Sequence, residues 1–136
     1  MNISIFHDQP IDIPNTEDVN ISDVGSLDKD VAENIYLNDC MDFITPSQHK
    51  ELLDILHTTI KQNGLLYIQA PDLKQIMIAA TFNKINMQLT QMLLYNKRVF
   101  AHTAQNIKDI LETNNYITIA QKYVNIFEYH FIFKKL

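Results

Sequence analysis

The stretch that decides the fold is IYLNDCMDFITPSQHKELLDILHTTIKQNGLLYIQAPD, residues 35–72. It opens with a short apolar segment, continues with a helix signature and ends in a second, longer apolar segment. Thr45 suits the helix cap, Pro46 the first helical position, and Gln48 the reciprocal place in a capping box. Leucine and isoleucine then recur at helical spacing, which predicts a helix over residues 46–62. A strand, a helix and a buried strand in this order indicate a parallel α/β sheet.

The remaining sequence extends this unit on both sides. Gly64 suits the left-handed position just past the helix, and Asp72, Asn86 and Thr103 suit the caps of three later helices. Two final strand candidates meet near Asn125 and predict an antiparallel hairpin whose last strand is interior, because both of its faces are largely apolar. The predicted elements are strands at 2–6, 19–23, 35–39 and 65–72, helices at 46–62, 73–84, 87–95 and 104–115, and strands at 116–124 and 126–136. We predict a single domain over residues 1–136, a three-layer α/β sandwich with a mixed, mostly parallel sheet.

Composition excludes several classes of protein. Residues 1–42 hold ten acidic side chains and one lysine, a balance of −9, and the rest of the chain carries +4, which together give the net charge of −5. This asymmetry argues against a nucleic-acid partner, because binding phosphates requires a focused basic surface. No apolar run approaches the roughly 20 residues of a membrane span. The absence of a secretory signal and the single cysteine favour a cytoplasmic location.

Five segments resemble class I S-adenosylmethionine-dependent methyltransferases. They are VNISDVGSL, AENIYLNDCMDFI, HKELLDILHTTIKQNGLLYIQAPD, VFAHTAQNIKDILETNNYITIAQ and the final hairpin. The resemblance covers roughly residues 19–136, and it lies in the order of the elements more than in any one motif. It implies a Rossmann-like methyltransferase fold, with S-adenosylmethionine as cofactor.

The sequence departs from this family at its amino end. In the family, the first strand runs into a glycine-rich loop, since only glycine lets backbone amides approach the cofactor closely. This chain has two glycines, Gly25 and Gly64, and neither follows the first strand. There is also no room for the helix and strand that would come next. We therefore expect a reduced methyltransferase fold, which leaves one sheet face and one edge to be covered.

The resemblance implies a set of site residues. Asp23 matches the acidic position that binds the adenine amino group, and Val24 stands beside it. Asn38 and Asp39 match positions after a strand that face the cofactor or substrate. Asp39 or His102 would orient or deprotonate a methyl acceptor. Turn formation is the alternative for Asp23, Asn38 and Asp39, because Asp and Asn favour local hydrogen bonds at such places.

The other conspicuous residues receive structural interpretations. The histidines lack the close spacing of a metal set, so we predict no metal site. Cys40 is expected to be a small buried hydrophobe. Arg98 beside Lys97 is interpreted as a solvated turn, and the methionines of two predicted helices as core or lid residues: Met77, Met87 and Met92.

Two functions from different classes follow from these observations. The first is a reduced methyltransferase that transfers a methyl group from S-adenosylmethionine to a small molecule, largely by positioning the reactants. The second is a non-catalytic methyltransferase-fold interaction protein that forms a homo-oligomer or binds a larger protein partner. An enzyme that uses the same crevice for other chemistry is a third possibility.

Overall fold

The computed structural model describes residues 1–95, 98–99 and 101–136. It contains six strands, four α-helices and two short 3-10 helices, at Ile21–Ser26 and Met41–Phe43. The strands are β1 (Asn2–Phe6), β2 (Glu17–Asn20), β3 (Ala32–Asn38), β4 (Ile60–Pro71), β5 (Tyr116–Tyr123) and β6 (Glu128–Lys135). The α-helices are α1 (Pro46–Thr59), α2 (Leu73–Thr81), α3 (Met87–Tyr95) and α4 (Ala104–Thr113).

The strands form one six-stranded mixed sheet in the order β2-β1-β3-β4-β6-β5. The first four are parallel, and β6 is antiparallel to both of its neighbours. The predicted Rossmann-like α/β architecture is therefore confirmed, with its antiparallel hairpin and its interior last strand. β2 ends earlier than predicted, at Asn20, whose side chain accepts a hydrogen bond from the Ser22 N–H (3.0 Å) and starts a 3-10 helix. Asp23 lies inside that 3-10 helix.

The main core lies on one face of the sheet. Alternate residues of the strands, among them Ile5, Leu37 and Phe131, are buried against the apolar sides of α1 and α4. The opposite face, which we call the open face, carries residues such as Tyr36 and Tyr67 that are only half-buried. Helices therefore cover the two faces of the sheet unequally. Ile13, in the β1–β2 connection, borders the open face.

The junction from α1 to β4 differs from the prediction. The helix ends at Thr59, and β4 begins at the next residue. Gly64 does not take the left-handed position; Asn63 does, with φ of 68°. Gly64 lies within β4, where an added Cβ would stand 2.5 Å from Ile60 Cγ2 and 2.7 Å from the Glu33 carbonyl oxygen. Close approach to the neighbouring strand, not helix termination, therefore requires glycine here.

Helices α2 and α3 form a small separate cluster. Ile76 and Ala79 of α2 pack with Ile85 and with partly buried residues that include Leu89 and Phe127. The predicted caps are present, since Asp72 accepts from Lys74 N–H (3.0 Å) and Asn86 from Leu89 N–H (2.8 Å).

The exposed sides of α2 and α3 carry several large apolar residues among polar ones. Met77, Met87 and Met92 are more than half exposed, at 57%, 68% and 54%, so the core alternative is wrong for these three, and the lid alternative stays a prediction. Ile78 and Phe82 are exposed beside them. Among the described residues, no helix is long and apolar enough to cross a bilayer.

Gly64→Ala should destabilise the fold because its methyl group would clash with backbone and side-chain atoms across β3 and β4. We expect a loss of about 1–3 kcal/mol in the free energy of unfolding, measured by urea titration. Gly25→Ala is the matched control, since nothing lies within 4 Å of an added Cβ there. Equal stability of the two variants would contradict this account of the β3–β4 contact.

Candidate functional site

The candidate site lies where β3 ends, at the carboxyl edge of the parallel strands. Asn38 is the last residue of β3, and Asp39 takes the left-handed conformation, with φ of 49°. Asp and Asn enter this region more readily than other non-glycine residues. The Asp39 N–H still donates to the Gln69 carbonyl (2.9 Å), so the turn stays tied to β4. The chain then forms the 3-10 helix Met41–Phe43, which carries Asp42 inward, to 2% exposure.

Val99 and His102, which follow α3 in sequence, are bonded to residues at this edge. The Val99 N–H donates to the Asp42 carbonyl (2.7 Å), and the Leu73 N–H donates to the His102 carbonyl (2.9 Å). These backbone bonds place Arg98 and His102 over the end of β3. Both residues are distant from β3 in sequence. Backbone hydrogen bonds of a kind common in loops bring them to this edge.

Arg98 holds the two acids of this edge. Its guanidinium donates to both carboxylate oxygens of Asp39, at 2.7 and 2.6 Å, and to Asp42 Oδ2 at 3.1 Å. The Arg98 side chain is 8% exposed and that of Asp42 is 3% exposed. Burial alone would lower the pKa of Arg98, but the bonds to Asp39 and the charges of both acids outweigh it and raise this pKa. The guanidinium is therefore a fixed cation.

Asp42 also holds His102. The His102 Nδ1 atom lies 2.7 Å from Asp42 Oδ1, and both side chains are buried. His49 stands next to this pair, with its ring centroid 5.0 Å from that of His102 and its Nε2 bonded to the Met41 carbonyl (3.0 Å). Burial lowers the pKa of His49, although the bond to the Met41 carbonyl opposes this shift. Asp42 thus bridges Arg98 and His102, because one of its carboxylate oxygens contacts each of them.

A stack of side chains fills the adjoining gap between the ends of β1 and β3. The ring of His7, the residue after β1, stacks on Phe43 with centroids 4.1 Å apart and planes inclined by 11°. Arg98 covers the same phenyl ring, with Cζ 4.8 Å from the centroid. Cation–π contact with a desolvated guanidinium is favourable. His7, Phe43 and Arg98 therefore close this part of the edge with the protein's own side chains.

Tyr129 and Cys40 are buried beneath the site. The Tyr129 hydroxyl has no hydrogen-bond partner among the described residues, and burial together with the charges of Asp42 and Asp72 raises its pKa far above the ordinary value. Burial raises the pKa of Cys40 to about 12. Its 1% exposure confirms the expected small buried hydrophobe. No group of three metal-binding side chains suited to hold an ion occurs within the described part of the chain.

The structure brings together some of the predicted site residues. Asp39 and His102 lie in one cluster, joined through Asp42 and Arg98. Asn38 adjoins it but points to the open face, where its amide donates to Ser4 Oγ (3.0 Å). Asp39 takes a turn conformation, and a cofactor or substrate role for Asn38 and Asp39 stays a prediction.

Asp23 and Val24 lie apart from this cluster. Asp23 is exposed and borders a depression along β2 with Met1 and Glu17, at the amino ends of β1 and β2. Val24 is buried in the main core. The predicted cofactor pair is therefore not placed beside Asn38 and Asp39.

Sequence reasoning missed the central members of the site. Arg98 was interpreted as a solvated turn residue, and this is wrong, because the side chain is buried in two ion pairs; Lys97 lies outside the described residues. Asp42, Phe43 and His7 received no role. The one signal in the sequence was the arginine itself, the only one in the chain. Arginine is preferred over lysine where a buried carboxylate must be bound bidentately.

Comparison with known proteins gives structural likeness only. No protein-family model matches the sequence, and no curated protein matches it. Among solved structures, the PH0226 protein of Pyrococcus horikoshii OT3 is similar, with a TM-score of 0.67 and 13% identity over 90% of this chain and 60% of its own. An S-adenosylmethionine-dependent methyltransferase of Archaeoglobus fulgidus has a TM-score of 0.60 and 14% identity over 89% of this chain and 67% of its own.

A third similar structure was determined with a product bound. It is the 1,6-didemethyltoxoflavin-N1-methyltransferase of Burkholderia thailandensis with S-adenosylhomocysteine, with a TM-score of 0.62 and 12% identity over 88% of this chain. The chain spans 60% and 51% of the first and third of these structures, so it matches only part of them. At such low identity the likeness concerns the fold. The chain has a class I methyltransferase-like fold.

Arg98→Met should be strongly destabilising, because it leaves Asp42 buried without its cation. We expect a loss of about 3–5 kcal/mol in the free energy of unfolding at pH 7. Lys50→Met is the control, since its pair with Asp54 (2.6 Å) is exposed and such pairs contribute only about 0–1 kcal/mol. A loss for Arg98→Met no larger than that for Lys50→Met would refute the buried network.

Proposed function

We propose that this chain is a non-catalytic methyltransferase-fold interaction protein that associates with a second copy of itself. The observation that carries the proposal is the closure of the carboxyl edge by Arg98 with Asp39 and by the stack of His7 and Phe43. In open α/β sheets this edge is where ligands bind. In this protein the protein's own ion pairs occupy the carboxyl edge, where a catalytic ligand would otherwise bind.

The residues present do not fit S-adenosylmethionine at this edge. β1 ends at Phe6, and no helix lies between β1 and β2, so no helix amino end follows β1 at this edge. His7 follows β1 where the family has a glycine-rich loop. Both carboxylate oxygens of Asp39 are bonded to Arg98, so a ligand amine at this carboxylate would compete with an existing bidentate ion pair. His102 is 7% exposed and would not reach a methyl acceptor.

The surface of α2 and α3 supports the association. We call the five exposed residues Met77, Ile78, Phe82, Met87 and Met92 the helical patch. Exposed apolar clusters of this kind mark interaction sites. No acidic residue occurs from Leu73 to Lys108, although the chain has sixteen. The helical patch therefore lies in a stretch of chain without carboxylates, which favours self-association of a chain with net charge −5.

Methyl transfer from S-adenosylmethionine to a small molecule is the second candidate. The methyltransferase-like fold favours it, as does the buried pair of His102 and Asp42, which is the arrangement of an oriented base. In this candidate Asp39 and His102 would act on the acceptor, and Asp23, Val24 and Asn38 would bind the cofactor. It requires Asp39 to bind a ligand while it is also bonded to Arg98, or Arg98 to leave it.

Titration calorimetry with S-adenosylhomocysteine distinguishes the two candidates. The proposal predicts no saturable heat up to about 1 mM ligand, because a ligand would compete with the bidentate pair of Arg98 and Asp39 and with the stack of His7 on Phe43. Saturable binding that Asp39→Asn weakens would support methyl transfer and refute the proposal. Glu51→Gln, at an exposed position of α1, serves as the matched control for loss of a carboxylate.

Light scattering of the purified chain tests the association. We expect a dimer or larger species at micromolar concentrations, and a shift toward monomer in Phe82→Ser, because the helical patch loses its most exposed aromatic side chain. Leu136→Ser removes an equally exposed apolar residue elsewhere and should leave the mass unchanged. A monomeric wild-type chain at all concentrations would contradict self-association.

A further inference from the structure

The open face contains a groove separate from the edge described above. Its volume is about 430 Å³, within the range of small-molecule sites. It crosses β3, β4, β6 and β5, and its border includes Ile13. Nothing in the proposed association uses it.

Strand register arranges the groove residues in two parallel rows. In the first row Tyr36 pairs with Tyr67, Tyr67 with Ile132, and Ile132 with Ala120. The second row, two residues further along the strands, runs Asn38, Gln69, His130, Lys122 by the same pairings. Side chains two residues apart on a strand share a face, so both rows point into the groove. An apolar row thus lies beside a polar one.

The apolar row contains a stacked aromatic pair. The rings of Tyr36 and Tyr67 stack with centroids 4.7 Å apart and planes inclined by 17°, so each covers one face of the other. Both tyrosines are only half-buried, and the outer face of Tyr67 is the one turned away from Tyr36, toward β6. Offset stacking on this face favours a planar ring over an aliphatic chain of similar size.

The polar row ends in a cation. None of the twelve residues that line the groove is acidic. His130 already faces Glu128, with Nε2 3.7 Å from Oε1, whereas Lys122 makes no ion pair with any described residue. The amides of Asn38 and Gln69 supply both donors and acceptors along the same row. The groove therefore suits an anionic ligand with its charge toward β5.

The spacing of these groups sets the size of the ligand. Tyr67 and Lys122 are two strands apart, roughly 10 Å, and offset by two residues, roughly 7 Å. A lysine side chain extends about 6 Å, so its ammonium can come within one ring's width of the tyrosine pair. We propose that the groove binds a planar aromatic anion, with its ring against the outer face of Tyr67 in the stacked pair and its negative group at Lys122.

Titration with 2-naphthoate, followed by NMR shifts or calorimetry, tests this proposal. We expect saturable binding of one molecule per chain, and roughly tenfold weaker binding of the uncharged 2-naphthol, because a hydrogen bond to a charged group is lost. Cyclohexanecarboxylate, which has the charge without the planar ring, should also bind more weakly. Absence of 2-naphthoate binding, or equal affinity for the three compounds, would overturn the proposal.

Variants locate the binding in the groove. Lys122→Gln and Tyr67→Leu should each weaken 2-naphthoate binding about tenfold, with the circular dichroism spectrum unchanged. Lys134→Gln is the matched control, because Lys134 lies on the same hairpin and outside the groove. Unchanged affinity in both groove variants would show binding elsewhere and overturn the proposal. These outcomes are independent of S-adenosylhomocysteine binding and of self-association.

Discussion

The structure at the carboxyl edge depends on one buried arginine. Arg98 binds Asp39 through two hydrogen bonds and Asp42 through a third, while its plane lies over Phe43. Without the guanidinium, two carboxylates would face each other in a poorly solvated place, which is costly. The same contact holds the segment that brings His102 onto Asp42. One cation therefore fixes the loop after α3 and closes the position where an open α/β sheet would receive its ligand.

This arrangement explains how a methyltransferase-like fold persists without a glycine-rich loop. The sheet order and the packing of α1 and α4 are set by apolar residues on one face, and those residues are independent of any cofactor. The missing elements would have met the opposite face and the end of β1. The stack of His7 on Phe43 covers the end of β1, and the face stays open. The fold and the site are thus separable, as they are in other common folds.

The fold was largely predictable because its signals are local. The cap at Thr45, the apolar spacing of α1 and the two final strands each lie within a short window, and the element order then restricts the sheet topology. Gly64 shows the limit of such reasoning. Its neighbours in sequence indicated a helix end, whereas the requirement for glycine comes from the Glu33 carbonyl on another strand.

The site was less predictable because its members are distant in sequence. Asp39 and His102 were identified, but Asp42, which joins His102 to Arg98, sits in a 3-10 turn with no distinctive pattern. Arg98 was misjudged because a basic residue in a loop is usually solvated, and only the tertiary structure reveals the two acids that it meets. Asp23 was placed at a strand end, but β2 stops three residues earlier. Local sequence propensity does not predict which distant side chains meet in the tertiary structure.

A crystal structure of the chain grown with an excess of S-adenosylhomocysteine tests the central claim most directly. We expect no ligand at the carboxyl edge, with Arg98 still hydrogen-bonded to Asp39 and still over the phenyl ring of Phe43. Electron density for the nucleoside between β1 and β3, with the guanidinium displaced from Asp39, would contradict it.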